Sequence, residues 1–208
     1  MRTRVKICGI TNLEDALAAC AAGADALGFN FAEEAKAKNR YIDPDEAREL
    51  VRRLPPFVTT VAVCVNDSLE RMHGYLEFMD YIQLHGEETP EQCGAVRGRV
   101  IKAFSLKPGL TASDLKKYPV CAYLVDAYVE GERGGTGRVC DWESARTLSD
   151  ATGHLILAGG LTPENVADAV QTVGPYAVDT AGGVEREPGR KDHERLREFI
   201  HHAKISVS

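Results

Sequence analysis

Short apolar runs that alternate with amphipathic segments constrain the fold of this chain more than any other feature of its sequence. The runs lie at residues 5–8, 26–31, 58–65, 81–84, 100–104, 121–125, 155–158 and 176–178. They are rich in β-branched residues, and short continuous apolar runs are typical of strands buried on both faces of a parallel sheet. Between them, apolar residues recur three and four positions apart, which indicates helices. The sequence therefore predicts eight strand–helix units.

Helix start signals support this alternation. Thr11 and Glu14 have the spacing of a capping box, and Asp43 precedes Pro44 at the start of an amphipathic stretch. Further start signals lie at Asp67, Thr89 and Thr162, and a short helix is predicted over residues 111–118. The last helix is predicted from apolar residues at i, i+3, i+4 and i+7, beginning at Leu196.

Eight units in 208 residues leave about 26 residues for each unit, which suits a compact eight-stranded barrel. An open doubly wound sheet is the competing architecture, but the strand count and the lack of a dinucleotide fingerprint disfavour it. No linker or low-complexity tract divides the chain. We therefore predict an α/β protein, a single (β/α)8 TIM barrel domain over residues 1–208.

Composition excludes several classes of function. The chain has 25 Lys and Arg against 31 Asp and Glu, a formal net charge of −6, which argues against nucleic-acid and anionic-membrane binding. No apolar run reaches the ~18 residues of a membrane span, and the first residues lack a secretory signal, so a cytoplasmic location is expected. Six cysteines form no C-x-x-C pair, so we expect reduced thiols and no metal.

Three reactive residues stand where predicted strands end, which is where the chemistry of such barrels lies. Cys8 ends the first strand, His85 follows the fourth, and Asp126 follows the run of the sixth. A thiol there can act as a base, a histidine can bind substrate or move a proton, and a carboxyl group buried in apolar surroundings favours its neutral, acidic form. Each also has a structural alternative: a buried apolar cysteine, a structural histidine bonded to a neighbouring loop, and a helix N-cap or loop salt bridge for Asp126.

Two glycine pairs follow the seventh and eighth strands: Gly159-Gly160 and Gly182-Gly183. Their backbone N–H groups can approach an anion closely, and barrels often bind phosphate at these two loops. Tight turns are the alternative.

Three further features complete the predicted mouth of the barrel. Asp179, at the end of the eighth strand, faces the same rim, and Arg40 follows a long polar loop. An arginine fork there suits a carboxylate, although a solvated charge is the more common role. The glycine-rich loop at 130–137 has the composition of a mobile cover. Together the residues predict a cofactor-free acid–base site for a phosphorylated ligand, suited to a proton-transfer isomerisation.

Several motifs resemble one known family. They are Lys6-Ile7-Cys8-Gly9-Ile10-Thr11, Gln83-Leu84-His85-Gly86-Glu87, Gly134-Gly135-Thr136-Gly137 with Asp141-Trp142, Ala158-Gly159-Gly160-Leu161-Thr162-Pro163-Glu164-Asn165-Val166 and Gly189-Arg190-Lys191-Asp192. In this order, from the first strand to the last helix, they are similar to phosphoribosylanthranilate isomerase, a (β/α)8 barrel of tryptophan biosynthesis.

The resemblance implies an Amadori rearrangement of N-(5-phosphoribosyl)anthranilate to 1-(2-carboxyphenylamino)-1-deoxyribulose 5-phosphate. It implies that Asp126 is the general acid, Cys8 the general base and Arg40 the ligand of the anthranilate carboxylate. His85 and Asp179 would line the site, and no cofactor is needed. The expected partner is a small phosphorylated substrate, and the chain is expected to be a monomer or a homodimer.

The sequence departs from the family pattern at three places. The loop before Arg40 is longer than usual, Cys140 stands where an aromatic residue is usual, and Ala181-Gly182 stands where the family usually has two serines. Without those hydroxyls, the phosphate is expected to rest on backbone amides. Two alternatives remain: a related barrel isomerase of the histidine pathway, whose two-aspartate pattern conflicts with Cys8, and a non-catalytic phosphosugar-binding barrel.

Overall fold

Eight parallel strands close into a barrel, as the alternation predicts. A computed structural model describes residues 2–127 and 141–205. The strands pair in sequence order, and β8 pairs with β1 to complete the ring. They are β1 Arg4–Cys8, β2 Ala26–Asn30, β3 Thr59–Cys64, β4 Tyr81–Leu84, β5 Arg99–Leu106, β6 Ala122–Ala127, β7 Leu155–Leu157 and β8 Ala177–Thr180.

Helices cover the outside of this barrel. They are α1 Leu13–Ala22, α2 Pro44–Val51, α3 Leu69–Tyr75, α4 Pro90–Ala95, α5 Ala112–Leu115, α6 Trp142–Thr152, α7 Val166–Val173 and α8 His193–Ile205. Their apolar faces pack on the outward-facing strand residues and form the larger of two buried clusters. No helix in the described ranges has both the length and the apolar character needed to cross a membrane.

Short elements that the sequence analysis did not predict add to the carboxyl end of the barrel. A 3-10 helix at Glu33–Lys38 occupies the polar loop after β2. After β8, a 3-10 turn at Gly182–Val184 leads into a hairpin of β9 Glu185–Glu187 and β10 Arg190–Lys191. A short helix after strand eight is the usual companion of a barrel phosphate site.

Three helix starts differ from the predicted caps. Asn12, not Thr11, caps α1, and Ser68, not Asp67, caps α3. The helix predicted from Thr162-Pro163 begins only at Val166, after a turn. By contrast, Asp43 caps α2 and Thr89 caps α4, as predicted, and Thr89 also forms a capping box with Gln92.

The interior of the barrel is itself a packed layer. Alternation along the strands points Val61, Ile101, Leu124 and Ile156 inward, where they form the smaller apolar cluster. The same alternation brings polar residues inward near the carboxyl ends of the strands. The floor of the mouth is therefore apolar and its rim is polar, which confines chemistry to one end.

Candidate active site

The predicted acid–base residues lie at the carboxyl rim of the barrel. Cys8 is the last residue of β1, and Asp126 is the last but one of β6. Asp179 belongs to β8 and is paired in register with Lys6 of β1. His85 directly follows β4, and its N–H donates to the carbonyl of Cys64. The fold thus brings these sequence-distant residues to one end of the barrel.

Cys8 is buried beside a gap in the side-chain layer. Its register partner on β2 is Gly28, and a β-carbon at Gly28 would stand only 2.7 Å from Sγ of Cys8. Burial raises the pKa of the Cys8 thiol, while the neighbouring Lys6 ammonium acts in the opposite direction. The sequence indicated Cys8 as a candidate but did not indicate Gly28 or Lys6. The position of Lys6, two residues before Cys8 on the same strand, could have shown that the two side chains share a face.

Asp126 is buried, with 7% of its surface exposed. Its Oδ1 accepts a hydrogen bond of 2.8 Å from the N–H of Ala127. Gly159, at φ +88°, approaches so closely that a β-carbon there would lie 2.9 Å from this same oxygen. Gly159 therefore makes room for the carboxyl group of Asp126, a reason for glycine that is separate from anion binding.

Asp179 is held in an ion pair inside the barrel. Its Oδ1 accepts a 2.7 Å hydrogen bond from Nζ of Lys6, and the two side chains are 11% and 4% exposed. A carboxylate and an ammonium buried this far need each other, because either alone would carry a large desolvation cost. Asp179 thus reaches the rim already paired, which the sequence alone did not indicate.

His85 is half-buried directly after the end of β4. Burial, reinforced by the Lys102 ammonium, lowers the pKa of His85 to about 4. The imidazole is therefore neutral near pH 7, so it offers hydrogen bonds rather than charge. Its Nδ1 lies 3.4 Å from Nε2 of Gln83, a buried residue on β4 whose Oε1 has no hydrogen-bond partner within the described ranges.

Arg40 lies across the mouth rather than in solvent. Its side chain is 13% exposed and forms a bidentate ion pair with Glu185, with Nε–Oε1 at 2.9 Å and Nη2–Oε2 at 2.8 Å. The side chain passes over Gly9, and its Nη2 is the atom nearest to the place where a β-carbon of Gly182 would stand. The common expectation of a solvated charge is wrong here, because the hairpin after β8 supplies a buried carboxylate.

Lys191 completes this charge cluster. Its Nζ donates to the carbonyls of Cys8 and Ala181 at 2.7 and 3.1 Å, and to Oε1 of Glu185 at 3.0 Å. Burial favours the neutral form of Glu185, but hydrogen bonds and charge from Arg40 and Lys191 outweigh it and hold the pKa of Glu185 below its usual range. Lys191 thereby ties the ends of β1 and β8 together beneath Arg40.

The two predicted glycine loops, after β7 and β8, contact each other at the mouth of the barrel. A β-carbon at Gly183 would overlap the carbonyl of Leu161, and the Thr180 hydroxyl donates to that carbonyl at 2.8 Å. Gly160 has φ +63°, and its carbonyl accepts from Nδ2 of Asn165 at 3.0 Å. The loops after β7 and β8 are therefore fastened side by side, with their backbones in close approach.

One predicted feature, the cover loop at 130–137, lies outside the described residues. Among those that are described, no group of three or more His, Cys, Asp or Glu side chains is arranged to hold a metal ion. The site is defined by a thiol, two carboxyl groups, an arginine fork and two glycine loops.

Fold and site together define a class: a (β/α)8 barrel with a thiol, carboxyl groups, an arginine and two glycine loops at one rim. A family model described as N-(5'-phosphoribosyl)anthranilate (PRA) isomerase matches residues 5–202. The enzyme of this name from Geobacter sulfurreducens is 51% identical over 208 residues, covering 97% of this chain and 98% of that one. The chain therefore belongs to the PRA isomerase family, and it is an isomerase.

Solved structures agree with this assignment. The PRA isomerase of Thermus thermophilus is 42% identical, with a TM-score of 0.86 over 96% of this chain and 98% of its own. That of Thermotoga maritima is 39% identical, with a TM-score of 0.85 over 98% and 99%. Another PRA isomerase structure, 39% identical with a TM-score of 0.82 over 98% and 99%, is described as a complex with reduced 1-(o-carboxyphenylamino)-1-deoxyribulose 5-phosphate.

Proposed function

We propose that this chain converts N-(5-phosphoribosyl)anthranilate to 1-(2-carboxyphenylamino)-1-deoxyribulose 5-phosphate, a step of tryptophan biosynthesis. The observation that carries the proposal is the position of Cys8 and Asp126, at the same rim but three strands apart around the ring. A substrate between them can receive a proton on one side and lose one on the other. The substrate is a multiply charged phosphate ester, which favours a cytoplasmic location.

In the first step, Asp126 acts as the general acid. Its proton goes to the ribose ring oxygen, the bond from that oxygen to C1 breaks, and the lone pair of the anthranilate nitrogen forms a C1–N double bond. The product is an open-chain protonated Schiff base. The position of Asp126 supports this role, because its carboxyl group is buried at the carboxyl rim of the barrel, three strands from Cys8.

In the second step, the Cys8 thiolate acts as the general base. It takes the proton from C2, the electrons of that bond form a C1–C2 double bond, and the iminium electrons return to nitrogen. The enolamine then becomes the ketone as the C2 hydroxyl loses its proton and C1 gains one. To complete the turnover, Cys8 gives up the proton that it took from C2 and Asp126 regains the proton that it donated, so the enzyme returns to its starting state.

Arg40 is proposed to bind the anthranilate carboxylate. Its hydrogen bonds to Glu185 use Nε and Nη2, which leaves the Nη1–Nη2 edge for a second, bidentate carboxylate. The phosphate is proposed to rest on backbone amides around Gly159-Gly160 and Gly182-Gly183, the two glycine loops that approach each other after β7 and β8. Neutral His85 and the paired Asp179 are proposed to line the space between.

Activity measurements on single variants test the acid–base assignment. Cys8→Ala and Asp126→Asn should each lower kcat by roughly 10²–10⁴-fold or more, with smaller effects on product binding. The matched control is Cys64→Ala, since Cys64 also ends a strand but belongs to the apolar cluster outside the barrel. Near-native turnover of Cys8→Ala or of Asp126→Asn would refute that residue's role.

The alternatives are separated by substrate. Turnover of the histidine-pathway aminoaldose, but not of phosphoribosylanthranilate, would favour the related isomerase. Binding of the product analogue without turnover of either compound would favour a phosphosugar-binding barrel. The presence of both Cys8 and Asp126 favours catalysis over binding alone.

We further propose that the chain forms a homodimer through the turn before β3. Phe57 is fully exposed there and has φ +70°, a left-handed backbone conformation that is costly for a bulky residue. A strained turn that presents an aromatic ring to solvent is typical of a contact surface. A solved PRA isomerase from Thermotoga maritima, 38% identical, is described as a monomer generated from a dimeric enzyme, which supports a second copy as the partner.

A further inference from the structure

Lys6 is a buried cation beneath the mouth that the proposed reaction does not use. Its side chain is 4% exposed and points into the barrel, since it lies two residues before Cys8 on β1 and shares its face. Its one direct ion-pair partner among the described residues is Asp179, at 2.7 Å. Lys6 therefore stands between a carboxylate on β8 and the thiol on its own strand.

Gly28 makes the approach of Lys6 to Cys8 possible. A β-carbon at Gly28 would lie 2.7 Å from Sγ of Cys8 and 3.1 Å from Nζ of Lys6. Both atoms thus converge on the same point, in the space that any other residue on β2 would fill. The missing side chain leaves the ammonium and the thiol in one small compartment.

We propose that Lys6 is a positioning residue that stabilises the thiolate form of Cys8, and that Asp179 limits this effect by sharing the same ammonium. The consequence for catalysis rests on the proposed role of Cys8 as the base. The electrostatic effect itself does not, because it depends only on the three side chains.

The charges facing Cys8 support this arrangement. Burial raises the pKa of the thiol, Lys6 lowers it most among the neighbouring charges, Asp179 raises it and Lys191 lowers it. Burial also favours the neutral form of Lys6, but Asp179 and Cys8 outweigh it and raise the pKa of Lys6, which keeps the ammonium charged at neutral pH. Since Lys191 donates to main-chain carbonyls and Glu185, Lys6 is the cation among the described residues that acts most strongly on the sulfur.

The test is a titration of Cys8 in the full-length protein, followed by the ¹³Cβ chemical shift of labelled cysteine. The Cys8 signal is assigned by its loss in Cys8→Ser. Lys6→Met should raise the pKa of the thiol by about 1–3 units, the size expected for loss of an adjacent opposite charge. Asp179→Asn should move it in the other direction, because the whole ammonium charge then acts on the sulfur.

Lys102→Met is the matched control, since Lys102 forms an equally buried ion pair with Glu88 outside the barrel interior. It should leave the Cys8 titration unchanged, and thermal unfolding checks that each variant is folded. An unchanged Cys8 pKa in Lys6→Met, or a raised one in Asp179→Asn, would overturn the proposal. If Lys6→Met does not fold, Lys6→Gln, which also removes the charge but keeps a polar end, is titrated in its place with the same expected rise.

Kinetics separate this proposal from the proposed function. Near neutral pH, Lys6→Met should lower kcat/KM about tenfold per unit of pKa shift, mainly through kcat, and activity should recover at higher pH. Shifted titrations in a protein that does not turn over phosphoribosylanthranilate would leave the electrostatic role standing and refute the proposed reaction. An unshifted Cys8 titration in a protein that does turn over phosphoribosylanthranilate would refute the electrostatic role of Lys6 and leave the proposed reaction standing.

Discussion

Glycine at three positions decides which side chains meet at the mouth of the barrel. Gly28 leaves space for the Cys8 thiol and the Lys6 ammonium, Gly159 for the Asp126 carboxyl group, and Gly182 for the Arg40 guanidinium. Sequence analysis predicted that Gly159 and Gly182 matter, but for the approach of an anion. A sequence shows that a side chain is missing, whereas only the fold shows which neighbour uses the space.

Gly182→Ser tests this difference. The family's usual serine would add a phosphate donor, but its β-carbon would stand 2.7 Å from Nη2 of Arg40. Because Arg40 is fixed by Glu185, we expect the guanidinium to be displaced and KM to rise about tenfold, the value of one charge-assisted hydrogen bond. Ala181→Ser, one residue earlier, is the control. Tighter product binding by Gly182→Ser would show that the phosphate contact outweighs the displacement.

The lowered pKa of His85 predicts a pH-dependent contribution to stability. The pKa of His85 is about 4 in the folded protein and about 6.5 in the unfolded chain. Between these two pH values, the unfolded chain therefore binds one more proton than the native state. The native state therefore loses stability as pH falls from 6.5 towards 4. His85→Asn should remove this loss. When the pH is lowered from 7 to 5, the difference in free energy of unfolding between the variant and the native protein should therefore shift in favour of the variant by up to about 2 kcal/mol.

Urea unfolding at the two pH values measures this change. His154→Asn, a substitution at an exposed histidine, is the control and should show the same difference from native at both. A constant difference between His85→Asn and the native protein would mean that His85 is free to protonate in the fold.

At the scale of elements, the sequence predicted strands better than helix starts. All eight strand predictions overlap barrel strands, because burial on both faces leaves a local apolar signal. The position of a helix cap depends on which of several adjacent polar side chains is free to accept a hydrogen bond from the first turn of the helix. Thr11 is not the cap because its hydroxyl donates to the carbonyl of Gly189 at 2.8 Å, so Asn12 takes that place. Such competition involves partners far along the chain and is invisible locally.

The contact between the Arg40 loop and the β9–β10 hairpin gives an element-scale prediction. Gly189 has φ +81°, and a β-carbon there would overlap the carbonyl of Asn39, the residue before Arg40. Gly109 has φ +87° but open space around it. Gly109→Ala should lose about 1–2 kcal/mol of stability from backbone strain alone, and Gly189→Ala should lose more, because its β-carbon also overlaps the Asn39 carbonyl.

Only Gly189→Ala should also move Arg40, and it should raise KM several-fold while Gly109→Ala leaves KM unchanged. Chemical denaturation and steady-state kinetics of the pair separate strain from contact. Equal KM values in the two variants would contradict the idea that the hairpin sets the position of Arg40.

For the whole molecule, the barrel was predictable from the sequence, but the charge pairs across its closure were not. Lys6 and Asp179 are 173 residues apart, and Arg40 and Glu185 are 145 apart. Each pair forms only because β8 returns to β1 and the chain continues over the mouth. The local sequence identified Cys8, Asp126, Arg40 and Asp179 as candidates, yet it left out the partners that set their charge and orientation, since those partners are brought together by ring closure.

The proposed dimer is the prediction that concerns the molecule as a whole. Phe57→Asn removes the exposed ring and places there a residue that tolerates a left-handed backbone, so it should not weaken the fold of the protomer. The native chain should sediment as a dimer and the variant mainly as a monomer, because a buried aromatic anchor contributes a large share of an interface's free energy. Leu17→Asn, at an apolar residue of α1 that is 41% exposed, is the control and should remain dimeric. A native chain that sediments as a monomer, or a Phe57→Asn variant as fully dimeric as the native chain, would contradict the proposal.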